Sequence, residues 1–383
     1  MGPFLWNIVY DDLLRIALPR DTYLIGYADD TMVISHGINT ELLETRLNEA
    51  LYRVKKWMDK KQLQIAVEKT EAVLITDRRS FAFPNIVLDN VGIAWRRQIT
   101  YLGVEIDHRL SFGPHISKMA DKAAKAGSNL ARLMPNLGGP KEVKRRVISS
   151  VVHSKMLYAA PVWADSLEKQ YIRRKYVQVQ RRMALRIASA YRTVSDSAAL
   201  VITSIPPIEL LAKERKNVFN AIKELKSQGC PPTPEQIKEI KEGNHSILMK
   251  EWQEKWENDP KGRWTYQLIP ELDKWINRKH GAVNYYLTQA LTGHGCFKKY
   301  LYKCKIADNP DCSDCPDEID DAMHTIFSCA IWDKERQIAC RHLRTILTAE
   351  NMVSLMTESE GNWRVIEDLI TNIMRKKESL NRT

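Results

Sequence analysis

Two short apolar runs near the start of the chain predict a β-hairpin. The runs cover residues 23–26 and 31–35, and both have the length and the β-branched or apolar character of strands. Between them lies Tyr27-Ala28-Asp29-Asp30, which places the two aspartates at the turn. Asp is a favoured turn residue, so the pattern by itself predicts an ordinary hairpin.

Longer segments have apolar residues at helical spacing. The clearest is residues 41–60, whose apolar stripe we interpret as core-facing. Pro140 suits the start of a helix, and the two glycines before it suit a stop. Other helices are predicted at 115–134, 140–160, 168–190 and within 208–260, and one or two amphipathic helices at 346–383. The pattern predicts an α+β beginning and a mostly helical remainder.

Composition narrows the class of protein. The chain has 383 residues, enough for two or three domains, and its 44% hydrophobic content is that of a globular protein. No apolar run has the length of a membrane span, and the first residues lack the basic-then-apolar order of a signal sequence. Seven unevenly spaced cysteines indicate a reducing compartment rather than a disulfide framework.

The Asp29-Asp30 pair suits chemistry with divalent metals. Mg²⁺ is a hard cation that proteins usually hold with one or two carboxylates together with substrate phosphates. Two such ions can stabilise the attacking and leaving oxygens of a phosphoryl displacement. Asp-Asp pairs are common, so the pair indicates a metal site only if the flanking segments support it.

Three segments in one order resemble the motifs of a known family. Residues 27–30 between two strands resemble motif C of reverse transcriptases, the YxDD box. Residues 63–75 are similar to motif D, with Lys69 at its lysine, and residues 99–107 are similar to motif E, the primer grip. The order and spacing of these three segments resemble those of the motifs in the reverse transcriptases of non-LTR retrotransposons, in particular the type-1 elements that insert into arthropod ribosomal DNA.

The resemblance implies an α+β right-hand polymerase fold and a nuclear protein. It implies a partial palm with a YxDD hairpin at 1–107, a basic helical thumb at 108–205, a helical connector at 206–300, a CCHC zinc knuckle at 301–345 and a helical tail at 346–383. The implied activity is DNA synthesis from deoxynucleoside triphosphates on an RNA template with a DNA primer, with no membrane partner.

The resemblance also implies roles for individual residues. Asp29 and Asp30 would hold Mg²⁺, Lys69 would assist near the leaving pyrophosphate, and Tyr101, Leu102 and Gly103 would hold the primer end. Residues 1–13 resemble the end of motif B, and no counterpart of motif A, whose aspartate completes the two-metal site, is recognised. Asp11 and Asp12 are expected to be solvent-facing or capping acids.

An incomplete metal site leaves two function hypotheses open. The first is a reverse transcriptase fragment that performs two-metal nucleotidyl transfer by inheritance but is expected to be inactive by itself. The second is a non-catalytic nucleic-acid-binding remnant, made of the basic thumb and the zinc knuckle.

The basic charge of the chain is confined to one segment. Residues 108–192 contain 18 Lys or Arg and 4 Asp or Glu, a net charge of +14, whereas the whole chain has +11. A surface with so few acids attracts phosphate backbones without regard to sequence. The candidate contacts are Lys144, Arg145, Arg146, Arg173, Arg174, Lys175, Arg181 and Arg182.

The spacing Cys312-x2-Cys315-x8-His324-x4-Cys329 supplies four ligands for tetrahedral Zn²⁺, and four filled positions indicate a structural site. The spacing also resembles the carboxy-terminal CCHC knuckle of these elements. Nearby Cys304, Cys340 and His342 are competing ligands. The loop is acidic, which suits folding or docking better than phosphate binding. The Leu-Thr-Gly-His-Gly phrase at 291–295 recurs in such proteins, and we predict a turn or packing role for its histidine.

Overall fold

The computed structural model describes residues 2–78, 80–229 and 231–380 and divides the chain into two compact units. The first unit ends at His115, eight residues after the predicted end of the palm segment, and the second begins at Ile116. Met1, where the resemblance to motif B begins, and the last three residues of the predicted tail lie outside the described residues.

The described part of the first unit contains two helices and four small sheets. The hairpin predicted from the apolar runs is present, and the helix predicted at 41–60 is α2. The elements are α1 (Gly2–Leu14), β1 (Thr22–Tyr27), β2 (Asp30–Ser35), α2 (Thr40–Lys60), a 3₁₀ turn (Val67–Lys69), β3 (Ala72–Val73), β4 (Val87–Leu88), β5 (Val91–Gly92), β6 (Trp95–Arg96), β7 (Gln98–Tyr101) and β8 (Val104–Asp107). Antiparallel pairs form between β1 and β2, β4 and β5, and β7 and β8, whereas β3 and β6 are parallel.

Helix α2 packs as its apolar stripe predicts. The side chain of Asn39 caps the helix by accepting a hydrogen bond from the Leu42 amide at 2.9 Å. Val54 and Trp57 are buried against Tyr10 and Leu13 of α1 in one small core cluster. Asp12 accepts a hydrogen bond from Trp57 Nε1 at 3.0 Å, so this acid anchors α1 to α2.

The second unit is helical, and its first three long helices lie close to the predicted ranges. The helices are α3 (Gly113–Ala131), which begins just inside the first unit, α4 (Glu142–Met156), α5 (Ala160–Trp163), α6 (Gln170–Ile187), α7 (Asp196–Ile202), α8 (Ile208–Ser227), α9 (Pro234–Asn258), α10 (Arg263–Leu268), α11 (Leu272–Ile276), α12 (Tyr285–Thr292), α13 (Lys298–Lys303), α14 (Asp333–Leu343), α15 (Ala349–Glu358) and α16 (Glu360–Leu380). A short π-helix (His324–Ser328) and a 3₁₀ turn (Ala330–Trp332) precede α14. None of the described helices is long and apolar enough to cross a membrane.

One large hydrophobic core contains side chains from segments that were predicted to be separate. It contains forty of the described residues, from Ala184 in α6 to Met374 in α16, and includes five buried tryptophans. The predicted segments 206–300, 301–345 and 346–383 all contribute side chains to this one cluster. They therefore fold here as parts of one unit.

The phrase at 291–295 forms a tight turn after α12. Gly293 caps the helix with φ of 66°, and Gly295 has φ of 116°, both in the region that favours glycine. A Cβ on Gly295 would lie 1.8 Å from Gln289 Oε1. Burial lowers the pKa of His294, whose ring lies 4.8 Å from that of Tyr300. The segment has a turn and packing role.

Candidate functional site

The two aspartates lie at an exposed turn with their carboxylates available. Tyr27 pairs with Asp30 at the end of the hairpin, so Ala28 and Asp29 form a two-residue loop, and Ala28 takes a positive φ of 53°. Trp6 Nε1 fixes this loop by donating to the Ala28 carbonyl at 2.9 Å. Asp29 and Asp30 are both exposed, and no Lys, Arg or His of the described residues pairs with either carboxylate.

Tyr10 in α1 supports the hairpin from behind. Its hydroxyl forms a hydrogen bond with Thr31 Oγ1, and its ring fills the space beside Gly26, where a Cβ would lie 2.2 Å from the ring. Neither Trp6 nor Tyr10 was predicted to have a role. Their spacing of four residues on a helix just before the hairpin was the available signal.

Tyr101 brings the predicted primer grip close to Asp30. Burial raises the pKa of Tyr101, and the negative charge of Asp30 and the neighbouring Tyr10 raise it further. The Tyr101 hydroxyl is buried and has no hydrogen-bond partner among the described residues. An unpaired buried hydroxyl is costly, so this group is available for a ligand beside the aspartates.

The predicted primer grip is the hairpin of β7 and β8. Leu102 and Gly103 form its two-residue turn, with φ of 46° and 78°, as a type I′ turn requires. Asp107 ends β8 and accepts backbone hydrogen bonds from Arg109, Ser111 and Phe112. Burial opposes the charge on Asp107, but these bonds hold its pKa below the usual value.

In the described residues, the other acidic side chains of the first unit do not form a ligand cluster with Asp29 and Asp30. Asp11 forms an ion pair with Arg15 at 2.6 Å, and Asp21 pairs with Arg46 at 3.1 Å. In the part of the chain that the structure describes, no third acid, His or Cys completes a ligand cluster with Asp29 and Asp30. Lys69 is exposed at the end of the 3₁₀ turn, and no described contact links it to the aspartates.

The predicted basic residues divide into exposed and structural ones. Lys144, Arg174, Lys175 and Arg182 are exposed, and Arg173 is half-buried. Arg146 pairs with Glu142, and Arg181 pairs with Asp196. The exposed members lie on α4 and α6, so these two helices carry the positive surface of the segment.

Arg145 departs from the prediction of a nucleic-acid contact. Only 3% of it is exposed, and its guanidinium donates to the carbonyls of Met134, Pro135, Pro140 and Arg186. Burial lowers its pKa, and the charge of Arg186 lowers it further. Arg145 therefore ties the segment after α3 and the end of α6 to α4. A run of three basic residues cannot show which one points inward.

Four side chains near residue 320 form a candidate metal site. The ligand atoms of Cys312, Cys315, His324 and Cys329 all lie within 4.8 Å of one another. The Cys329 sulfur is 3.8 Å from that of Cys312 and 3.9 Å from that of Cys315, too far for a disulfide. His324 is 6% exposed, and among the described residues neither ring nitrogen has a hydrogen bond, although Glu318 Oε2 lies 3.5 Å from Nδ1. The structure thus brings together the four predicted ligands.

The competing ligands stay outside this cluster. Neither Cys304, Cys340 nor His342 belongs to it in the described residues, and Cys340 Sγ accepts the Leu347 amide at 3.4 Å instead. Burial raises the pKa of Cys329 to about 12, and its neighbour Cys312 adds to this effect.

The acidic loop docks the cluster onto the helices. Asp320 is 1% exposed and accepts hydrogen bonds from the Lys298 amide at 3.0 Å, Thr325 Oγ1 at 2.7 Å and Lys377 Nζ of α16 at 2.7 Å. Asp321 pairs with Lys299 at 2.9 Å and caps the His324 amide. The acidic residues that make phosphate binding unfavourable therefore hold the candidate metal site to α13 and α16.

Comparison with known proteins identifies the class. A family model described as reverse transcriptase (RNA-dependent DNA polymerase) matches residues 1–106. The first unit, with Asp29, Asp30 and the β7–β8 hairpin, thus carries a reverse transcriptase domain. No solved structure matches the chain.

The particular relatives confirm the resemblance. The chain is 27% identical over 350 residues to the putative 115 kDa protein in type-1 retrotransposable element R1DM of Drosophila melanogaster, covering 88% of this chain and 34% of the relative. It is 24% identical over 398 residues to a retrovirus-related Pol polyprotein from type-1 retrotransposable element R1 2 of Nasonia vitripennis, covering 100% and 96%. The chain is thus similar to R1-type reverse transcriptases of the non-LTR class, and it spans about a third of the first relative and nearly all of the second.

Proposed function

We propose that this chain contributes part of the nucleotidyl-transfer site for RNA-directed DNA synthesis by a non-LTR retrotransposon, at the turn of β1 and β2, and that it is inactive by itself. The observation that carries the proposal is the exposed, unpaired Asp29-Asp30 turn inside the segment that matches the reverse transcriptase family. The buried Tyr101 hydroxyl, whose pKa responds to the charge of Asp30, supports it.

The residues of this site have distinct roles. Asp29 and Asp30 offer the hard oxygen ligands that Mg²⁺ prefers. Bound Mg²⁺ would neutralise the charge that develops on the attacking and leaving oxygens. The tight turn at Leu102 and Gly103 presents a rigid hairpin tip for the primer end, and the exposed ammonium of Lys69 is suited to protonate the leaving pyrophosphate.

The second unit supplies binding and a structural metal. The exposed cations of α4 and α6 would hold the template–primer duplex by its phosphates, as the thumb of a right-hand polymerase does. Tetrahedral zinc with sulfur ligands at about 2.3 Å places its sulfurs about 3.8 Å apart. The separations of 3.8 and 3.9 Å fit this geometry, so Cys312, Cys315, His324 and Cys329 would hold Zn²⁺.

A graft tests the polymerase site. Residues 1–383 replace the matching segment of the Drosophila relative, and extension of a DNA primer on an RNA template is measured. Asp29→Ala should abolish synthesis, because the metal loses a direct ligand, whereas Lys69→Ala should slow it by about 10²–10⁴-fold.

The matched control is Asp11→Ala, which removes an exposed carboxylate of the same unit that is already paired with Arg15. It should leave synthesis unchanged. Undiminished synthesis by the Asp29→Ala graft would refute the proposed site.

A second function is binding of nucleic acid without catalysis. The observation that favours it is that only two described acids converge at the turn. In that case the chain by itself shows no synthesis but binds an RNA–DNA duplex, and its Asp29→Ala variant binds the duplex equally well.

A further inference from the structure

A basic cleft in the second unit includes Arg145 and Arg146 of the predicted basic residues and adds cations that were not predicted. Its volume is about 840 Å³, within the range of roughly 300–1,000 Å³ that is usual for ligand pockets. Its walls are the beginning of α4, the segment around residues 276–286 and α16. Seven Lys or Arg and three Glu line it, so the cleft carries a positive excess.

Arg278 lies at the floor of this cleft with unused hydrogen-bonding capacity. Its side chain is 5% exposed, and its guanidinium lies 4.1 Å from the ring of Trp275. Nη1 donates to Ser204 Oγ at 3.2 Å and to the Trp275 carbonyl, but Nε has no partner among the described residues. Burial lowers the pKa of Arg278 to about 10, so the group remains a cation at neutral pH.

One carboxylate serves two guanidinium groups at this floor. Glu142 is 3% exposed and accepts hydrogen bonds from Arg146 and, at 2.8 Å, from the Val283 amide. The same Oε2 lies 3.9 Å from Arg278 Nη2, too long for a hydrogen bond. A single negative charge therefore faces two positive charges and a backbone donor, which leaves the floor with a net positive charge.

The rim adds free cations and aromatic rings. Lys141, Lys279 and Arg375 are exposed, and among the described residues no carboxylate lies within ion-pair distance of any of them. Tyr285 and Tyr286 are half-buried on the same wall, and the Arg375 guanidinium lies 5.5 Å from the ring of Tyr286. Cations interleaved with aromatic rings are the combination that single-stranded nucleic acids bind.

We propose that this cleft binds the phosphate backbone of a single-stranded polynucleotide. Arg146 and Arg278 supply the positive potential of the floor, and the rim cations contact successive phosphates. The cations come from three separate segments of the chain, namely the beginning of α4, residues 278–279 and α16, which favours a chain of phosphates over a single triphosphate. The choice of a polynucleotide rests on the proposed function.

Binding of a labelled RNA tests the cleft in the full chain. The probe is a fluorescein-labelled single-stranded RNA of about 12 nucleotides, within the site sizes of single-strand binders. Lys279→Gln with Arg375→Gln changes only exposed side chains, so folding should be unaffected. We expect about tenfold weaker binding, or about 1.4 kcal/mol. The slope of log K against log salt should fall by about 1.4, because single strands contribute about 0.7 per phosphate.

The matched control is Lys250→Gln with Arg341→Gln. These residues are exposed on α9 and α14, outside the cleft, and the double change removes the same charge. The control should keep the affinity and the salt slope of the unaltered chain. Equal affinities of the cleft variant and the control would overturn the proposal.

Photocrosslinking locates the RNA. An RNA that contains 5-iodouridine should crosslink to the tryptic peptide of residues 280–298, which carries Tyr285 and Tyr286. Crosslinks confined to peptides of α3 and α6 would contradict the proposal. So would direct binding of dTTP that is lost in the cleft variant while RNA binding is kept, because the cleft would then be a nucleotide site.

The test is independent of synthesis. The same binding measurements are repeated in the Asp29→Ala background, where the cleft effect should be unchanged. Failure of the polymerase graft leaves the RNA-binding result intact, and failure of the cleft variants leaves the graft result intact.

Discussion

The two units of the chain are stabilised in different ways. The first unit, up to His115, has small core clusters, such as Tyr10, Leu13, Val54 and Trp57, and sheets of only two strands. The second unit buries forty of its described residues in one cluster. Two-stranded sheets are marginally stable by themselves, whereas a large apolar core supplies most of the stability of a domain. We infer that opening is easier in the first unit.

The units also differ in how their sites are encoded. The Asp29-Asp30 turn depends on a few consecutive residues, so sequence shows it directly. The cleft around Arg278 joins α4 to segments more than one hundred residues later, and only the fold brings Glu142 to the Val283 amide. Local chemistry is visible in the sequence of the first unit, whereas the second unit builds its site by long-range packing.

Metal removal should produce the largest effect and should be confined to the second unit. The purified chain should carry about one Zn²⁺, and Cys315→Ser should release it. Structural zinc contributes about 10–16 kcal/mol in finger peptides, so a loss of several kcal/mol is expected here. Hydrogen exchange should show lost protection around residues 311–329, with β1 and β2 unchanged.

Cys304→Ser is the matched control for this experiment. Cys304 is half-buried and close in sequence but outside the ligand cluster. It should retain zinc and protection. Full zinc retention by Cys315→Ser would instead show that the site uses other ligands, and lost protection in the first unit would contradict the separation of the two units.

The Asp107 anchor should give the next largest effect, in the first unit. Asp107→Asn replaces a carboxylate that accepts three backbone bonds, and bonds to charged groups are worth about 1.5–3 kcal/mol each. We expect faster hydrogen exchange in β7 and β8, equivalent to a loss of about 2 kcal/mol in local opening free energy. The exposed Asp77→Asn is the control and should have no effect.

The pH dependence of this anchor has a definite sign. Because the pKa of Asp107 is lowered in the folded state, its contribution is fully present above the unfolded value of about 3.9. It is lost as the pH falls from there through the folded pKa. The local opening free energy of β7 and β8, taken from exchange rates corrected for the intrinsic effect of pH, should therefore fall on acidification in the unaltered chain, and the Asn variant should lose this part of the response.

Prediction from sequence succeeded where a feature depends on neighbouring residues. The β1–β2 hairpin, α2 and the grouping of the four metal ligands all follow from spacing within short segments. The burial of Arg145 could not be predicted, because three consecutive basic residues on a helix point in different directions and only packing shows which is buried. The position of Arg278 in the cleft could not be predicted either, because its partners in α4 and in the segment after α7 are far away in sequence.

Gly26→Ala tests the support of the aspartate turn by Tyr10. The new Cβ would lie 2.2 Å from the Tyr10 ring, so α1 or β1 must shift, at a cost of about 1–3 kcal/mol. Exchange protection of the β1–β2 amides should fall by that amount. Gly92→Ala is the control, because nothing lies within 4 Å of its Cβ position in β5. Equal protection in both variants would show that Tyr10 does not brace the hairpin.

The smallest expected effect distinguishes the exposed from the buried basic residues of segment 108–192. Lys144→Gln and Arg174→Gln remove exposed charges of α4 and α6, so each should reduce the salt slope for an RNA–DNA duplex by about one unit with unchanged thermal stability. Arg145→Gln removes donors from buried carbonyls, so it should lower the melting temperature and leave the slope of the folded protein unchanged. The reverse result would place Arg145 on the binding surface.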